Sequence, residues 1–525
     1  MDRFFKRLSA IALPVAAWMP ALMVMVVPLW LLMRASTGDT GEVLDGLMSS
    51  DTGWLIARSL GFALAVAVAS AVIAVPLAFL TTRTDLPARR LWSVVLALPL
   101  ALPSYVGAFT LIAAFGAGGL VSDALGIDGM PDFYGFGGAT AALTLLGYPY
   151  VFLPVRAAFL QSDSSLEDSA RVMGCSPMKA FMRVTFPLVR PALVAGMLLI
   201  GLYALSDFGA VSMLQFDTFT RVIYTQHDAF DPPGAAALSL VLVVLTVFIL
   251  VGETAARKSR ASVASRKGPR PHGPPLIRLG WWKLPATLFC LLVASFALIA
   301  PVWVAVVWAT EGGNTCTYCA PLSELALNTV EVATYTAIVA MLLVVPVARY
   351  ATARRSVYSD IPDRALYMGF ALPGVVIALA LVYLGSQTAP GLYQTLPLLV
   401  VALLIRFLPQ AADTLRPAMQ RIPRALEEAS RTLGEGPIRS FFRASAPLLW
   451  SSWLAGGVLV FLTAAKELPA TLLMRPTNFD TLATELWDLT NEGFFGEAAT
   501  RALVLLVIGA VPMMLLVAWT ERRRS

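Results

Sequence analysis

Long apolar runs of about 20 residues recur along the chain, separated by shorter polar stretches. At 1.5 Å of rise per residue such a run matches a hydrocarbon core of roughly 30 Å, so each predicts a membrane-crossing helix. The first six fall at about 11–33, 54–80, 91–114, 139–160, 190–214 and 235–254. Six more follow at about 285–309, 328–350, 364–385, 392–409, 452–474 and 500–519. Arg3, Lys6 and Arg7 precede the first run as they would in a signal peptide. That run is long, however, and ends at Arg34 rather than at a small-residue cleavage site, so it reads as a retained helix.

The polar intervals orient these helices. With the N-terminus in the cytoplasm, the inner intervals hold Arg83, Arg89 and Arg90, then Arg171, Lys179, Arg183 and Arg190. Further along they hold Arg349, Arg354 and Arg355, then Arg421, Arg424, Arg431, Arg439 and Arg443. The outer intervals are acidic, with Asp39, Glu42, Asp45 and Asp51 in one and Asp480, Glu485, Asp488, Glu492 and Glu497 in another. Lys and Arg accumulate on the cytoplasmic side of membrane proteins, so the alternation predicts an even number of crossings with both termini inside. Residues 255–284 are basic and rich in Pro, Gly and Ser, and read as a cytoplasmic linker between a first half (1–254) and a second (285–525).

Composition agrees. The chain of 525 residues is 58% hydrophobic and 14% charged, against about 25% charged for a soluble domain. A soluble enzyme, a disordered chain and a disulfide scaffold are excluded. The net charge of +6 is a topology signal, and nucleic-acid binding has no place in it. The two histidines, His227 and His272, exclude a His-rich metal site. Cys316 and Cys319 form a CxxC in an outer interval, open to a local disulfide or a metal site. Nothing resembles a catalytic constellation or a G-x-x-x-x-G-K-[ST] phosphate loop, so no cofactor is expected on this chain.

The halves are copies. Residues 155–193 align without gaps on 415–453, placing Arg156 on Arg416, Glu167 on Glu427, Arg171 on Arg431, Gly174 on Gly434 and Pro187 on Pro447. Pro76 and Pro103 likewise fall on Pro346 and Pro373, at a separation ten residues larger. Six intervening helices make the repeats parallel, related by an axis along the membrane normal. Each copy carries a long polar segment between its fourth and fifth helices, at about 161–190 and 416–451. In the second, PRALEEASRTLG has Pro and acids at its start and Gly at its end, which predicts a helix, and PIRSFFRAS predicts another. Two matching copies point to a repeated docking surface.

These segments resemble the EAA loop of ABC-importer permeases. The copies read Glu167-Asp168-Ser169-Ala170, Gly174 and Pro187, and Glu427-Glu428-Ala429-Ser430, Gly434 and Pro447. The first departs from Glu-Ala-Ala with Asp-Ser-Ala and the second with Glu-Ala-Ser, which leaves the two sites open to being unequal. The resemblance implies an all-α polytopic fold of two tandem six-helix type I importer domains, about twelve helices in a bacterial inner membrane. It implies that each loop seats in a cytoplasmic ATPase subunit, two copies per chain, with ATP bound by those partners and a periplasmic protein delivering substrate.

Within the fifth helices lie Asp207 in one half and Lys466 and Glu467 in the other, Asp207 aligning with Glu467. Intramembrane charges are costly and mark pathways by default, so the carboxylates suit a passing cation; the competing reading is an ion pair, such as Asp207 with Lys466. YALSDFGAVSML, KELPATLLMRPTNFDTLATELW and ALPGVVIALALVYLG look like the double-length permeases of ferric-iron importers. That resemblance implies Fe(III) as substrate, with a ferric chelate, thiamine or a phosphonate as alternatives. An ion-coupled secondary transporter explains the parallel repeat and the carboxylates, but not the duplicated polar loop.

Overall fold

The computed structural model describes residues 2–37, 40–116, 119–121, 126, 133–161, 164–264, 276–311, 320–353 and 357–522. The described residues are almost entirely helical, with one isolated parallel bridge between Thr84 and Ile277. In chain order the principal helices are α1 (Asp2–Ala35), α2 (Ser50–Arg83), α3 (Ser104–Phe115), α4 (Phe136–Gly147), α5 (Pro149–Gln161), α6 (Ser164–Val172) and α7 (Phe186–Ser206). Next come α8 (Gly209–Met213), α9 (Phe219–Asp228), α10 (Pro232–Ala264), α11 (Lys283–Ala294), α12 (Ala300–Glu311), α13 (Leu322–Ala353) and α14 (Val357–Ala371). The remainder are α15 (Gly374–Thr388), α16 (Leu396–Gln420), α17 (Arg424–Thr432), α18 (Ala446–Ala465), α19 (Pro469–Met474), α20 (Leu482–Glu492) and α21 (Phe495–Arg522).

Ten described stretches are long and apolar enough to cross a bilayer, and two bent pairs raise the number to twelve. The bent pairs correct the expectation of continuous helices over 91–114 and 364–385. Arg89–Ala101 meets α3 at 93°, and Ile361–Ala371 meets α15 at 106°. Pro103 and Pro373 sit at the two breaks with extended backbone, φ/ψ of −63°/145° and −60°/148°. Proline has no N–H to continue a helix and pushes the preceding residue out of the helical region; Leu102 accordingly has ψ 129°. The prolines that the repeat aligned are therefore the bend points.

The fifth spans also differ from the expected runs. Each begins earlier, through a five-residue π turn at Phe181–Thr185 or Phe441–Ser445 that leads directly into α7 or α18. PIRSFFRAS is thus the first stretch of a span rather than a separate short helix. Each ends earlier too, at Ser206 and Ala465, before the short helices α8 and α19.

Two compact units result. One holds Met1–Gly46, Ile223–Val243 and Thr315–Ser525, the other Leu47–Val222 and Val244–Asn314. The leading helix of each sequence half therefore lies with the later helices of the other half. In the first unit α1 packs on α13, α14 and α15; in the second α12 packs on α3, with Trp308 Nε1 donating to the Ala113 carbonyl at 3.2 Å. The centre of each unit is the same trio of spans, α2, α5 and α7 in one and α13, α16 and α18 in the other. Gly196 and Gly456 match in the repeat for a packing reason. A Cβ at Gly196 would press on the Val151 backbone of α5, and one at Gly456 on the Thr414 hydroxyl of α16. Small residues let membrane helices approach closely.

Candidate functional site

The polar segments of the two halves fold alike. α6 and α17 each end at a glycine in the left-handed region, Gly174 at φ +88° and Gly434 at +92°. The Gly174 and Gly434 amides donate to the Arg171 and Arg431 carbonyls at 3.0 Å. The next amides, of Cys175 and Glu435, reach the Ala170 and Ser430 carbonyls at 3.1 and 3.3 Å. These bonds satisfy carbonyls that a helix end leaves orphaned. A side chain at such a φ costs roughly 1–2 kcal/mol, which explains glycine at both tips.

One acid of each copy faces inward. The buried Glu167 pairs with Arg83 at the end of α2, and Thr185 Oγ1 donates to it at 2.8 Å. Glu427 pairs with Arg349 of α13 at 3.1 Å and with Arg431 at 3.5 Å, and Ser445 Oγ donates to it at 2.7 Å. Thr185 and Ser445 close the two π turns, so each hydroxyl ties the helix of the polar segment to the start of its fifth span. The arginines come from adjacent turns of equivalent helices. Phe79 occupies the position aligned with Arg349 and packs edge-on against Phe181 at 5.2 Å, where Arg349 lies over Phe441 at 4.3 Å. In the sequence Arg83 and Arg349 count among the inner-interval charges that set the topology. Arg83 is 1% exposed, and its one-turn displacement relative to Arg349 hides the equivalence from an alignment.

The other residues of the repeat face differently. Asp168, Ser169, Glu428 and Ala429 are exposed, as are the tip glycines and Pro187 and Pro447; Ala170 is buried and Ser430 half-buried. Beside the glycines Met173 and Leu433 are 79% and 85% exposed.

The intramembrane acids lie at helix breaks rather than inside continuous helices. Asp207 follows α7, and its Oδ1 accepts the Ala210 N–H at 3.0 Å, while Thr220 Oγ1 donates to the Asp207 carbonyl at 2.5 Å. Glu467 follows α18 in the same register. Its Oε1 accepts the Ala470 N–H and its Oε2 the Thr471 N–H, both at 3.1 Å. Both carboxylates thus cap the short helix that follows, an arrangement favoured by the N-terminal dipole. The half-buried Lys466 lies between α18 and Glu467.

The surroundings of the two caps differ. Arg406, within α16, brings Nη1 to 4.0 Å from Glu467 Oε1, and Gly374 at the start of α15 is packed so closely that a Cβ would strike both groups. The aligned positions in the other copy are Leu146 and Ser104, beside the shorter Asp207. Arg406 was missed because it is a single charge in a long apolar run and the repeat has no counterpart for it.

Among the described residues, no group of three or more His, Cys, Asp and Glu could hold a metal ion. Cys175 and Cys290 are free thiols, and Cys316 and Cys319 lie outside the described residues. The stretch read as a linker from 255 begins inside α10, which continues to Ala264. Its far end is strapped to α2: Ile277 N donates to the Arg83 carbonyl at 2.8 Å, Leu279 N to Asp85 Oδ1 at 2.8 Å, and Lys283 Nζ lies 2.9 Å from Asp85 Oδ2. The Leu279 amide and the Lys283 ammonium hold the Asp85 carboxyl below its usual range.

Comparison with known proteins matches this duplicated architecture to the family described as binding-protein-dependent transport system inner membrane component, once over residues 74–259 and again over 344–525. The chain belongs to that family. It is a multi-pass inner-membrane permease of the ABC-importer class, with two transport domains fused in one polypeptide. It is 30% identical over 449 residues to the Fe(3+)-transport system permease protein FbpB 2 of Haemophilus influenzae, covering 84% of each chain. The molybdenum transport permease ModB of Mycobacterium tuberculosis is 31% identical over 210 residues, 39% of this chain and 78% of its own. The sulfate transport permease CysT of Escherichia coli is 27% identical over 180 residues, 33% of this chain and 65% of its own.

Proposed function

We propose that this permease carries Fe(III), handed over by a periplasmic binding protein, into the cytoplasm, driven by ATP hydrolysis on two separate ATPase subunits. Each half supplies the central spans and polar-segment helix of one transport domain, the halves are joined through 255–284, and both termini are cytoplasmic. The observation that carries the coupling mechanism is the duplicated helix, α6 and α17, held to its own domain by an inward-facing glutamate–arginine pair, buried for Glu167 and half-buried for Glu427, with its tip exposed. A rigid helix so tethered converts movement of a docked ATPase into movement of the spans. The bent pairs cross the membrane in this reading, because losing one crossing per half would put α6 and α17, with their arginines, on opposite faces.

Asp207 and Glu467 line the pathway as well as capping α8 and α19. A carboxylate that already accepts amide hydrogen bonds keeps lone pairs for a passing hard cation. The ferric assignment is supported by the iron relative, which aligns across both domains. A second reading is an oxyanion, favoured by Arg406 and Lys466 near the break and by the one-domain molybdenum and sulfate relatives.

Co-purification and uptake test both levels. Expressed with its genomic neighbours, the chain is expected to retain an ATPase, and Fe(III) to bind the neighbouring periplasmic protein. An ATPase that never co-purifies sinks the coupling mechanism, whereas a periplasmic protein that binds molybdate or sulfate but not iron sinks the substrate alone.

A further inference from the structure

The two docking surfaces share an apolar centre but differ at its rim. Leu166, Met173 and Met182 are exposed on the first, and Leu426, Leu433 and Phe442 at the aligned positions of the second. No described residue of their own units covers these side chains, which suits a common occupant. Each surface also carries three aligned cations. On the second, Arg431 is paired with Glu427 at 3.5 Å, Arg439 with Glu435 at 3.2 Å, and Arg443 with Glu435 as well. On the first, Cys175 replaces Glu435, and Glu167 is turned inward to Arg83. Arg171, Lys179 and Arg183 are exposed there, with no carboxylate at ion-pair distance among the described residues.

We propose that the first docking surface is completed by carboxylates of the ATPase subunit it receives, whereas the second pairs its cations with its own Glu427 and Glu435 and docks mainly through its apolar residues. This rests on α6 and α17 being ATPase-docking helices. Its consequence is that a chain presenting two look-alike sites holds its two ATPase subunits unequally. Exposed ion pairs are each worth little and are screened by salt. The first site is therefore the salt-sensitive one.

The test uses the full chain in nanodiscs and the purified nucleotide-free ATPase. Leu433→Asp disables the second site, leaving the first to be titrated, and Met173→Asp does the reverse. Raising NaCl from about 50 to about 500 mM should weaken the first site by about three- to tenfold and the second by less than about twofold. Introducing Cys175→Glu beside Leu433→Asp should bring the first site's salt response down to that of the second. Cys175→Glu alone, which leaves both tips otherwise intact, should lower the salt dependence of the wild-type chain. Parallel weakening of both sites, or a salt response unchanged by Cys175→Glu, overturns the proposal. An ATPase that binds neither site of the wild-type chain instead refutes the docking function on which it rests.

Discussion

Glu167 and Glu427 occupy the same position in the repeat, yet they are embedded to different depths. Glu167 meets an arginine that is 1% exposed, so Glu167→Gln leaves that guanidinium buried without its counter-charge, at a cost of about 3 kcal/mol. Around Glu427 the partners Arg349 and Arg431 are more exposed, and Glu427→Gln should cost about 1–2 kcal/mol. Thermal unfolding of the two variants in detergent checks the order; equal losses would contradict the difference in burial. The caps allow a parallel comparison. Asn is as good a cap as Asp, so Asp207→Asn should shift stability by less than about 0.5 kcal/mol. Glu467→Gln removes the charge facing Arg406 and should be the more damaging of the two. Fe(III) uptake by the same variants tests the pathway role: unchanged uptake with normal folding leaves both acids as caps alone.

The helices show how far the residue pattern reaches. Hydropathy found ten spans, because an apolar run of membrane length has few alternatives to a helix, though it placed the fifth of each half too late in the chain. It did not reveal the breaks after Ala101, Ser206, Ala371 and Ala465, since a broken span stays apolar on both sides of its break. Pro103 and Pro373 were visible as a matched pair, but a proline inside an apolar run is also tolerated without a right-angled bend, as Pro76 in α2 shows. The helix of the second polar segment was legible from its proline, its early acids and Gly434, and the repeat carried that reading to the first. Their anchors were not, because Arg83 and Arg349 stand one helical turn apart in the aligned sequences. The strap on Asp85 was equally hidden, being a contact between residues nearly two hundred positions apart. That strap gives a prediction with a definite sign. The Asp85 carboxyl is held below its usual value of 3.8, so the strap is complete at neutral pH and loosens as pH falls through and below that value. Asp85→Asn at pH 7 should mimic the loosened state, with faster proteolysis of 276–283 than in the parent chain. Equal cleavage rates would assign the strap to its backbone bonds alone.

At the scale of the molecule, two transport domains in one polypeptide carry two copies of the polar-segment helix, proposed above to dock two ATPase subunits, and their differences are free to diverge. The second copy carries Arg406 at its helix break and Glu435 beside the tip glycine of α17, where the first carries Leu146 and Cys175. A homodimeric permease has no means of separating its two sites in this way. Left-handed Gly174 and Gly434 hold the form of both tips, and alanine at both positions should raise the energy of each by roughly 1–2 kcal/mol and uncouple transport from ATP hydrolysis. The most direct measurement is uptake of radiolabelled Fe(III) into proteoliposomes containing this chain, its ATPase and its periplasmic binding protein. Uptake is expected to require ATP and the binding protein and to fall severalfold with Gly174→Ala and Gly434→Ala together. Iron uptake that proceeds without ATP, or a complete system that moves another solute while leaving iron outside, would contradict it.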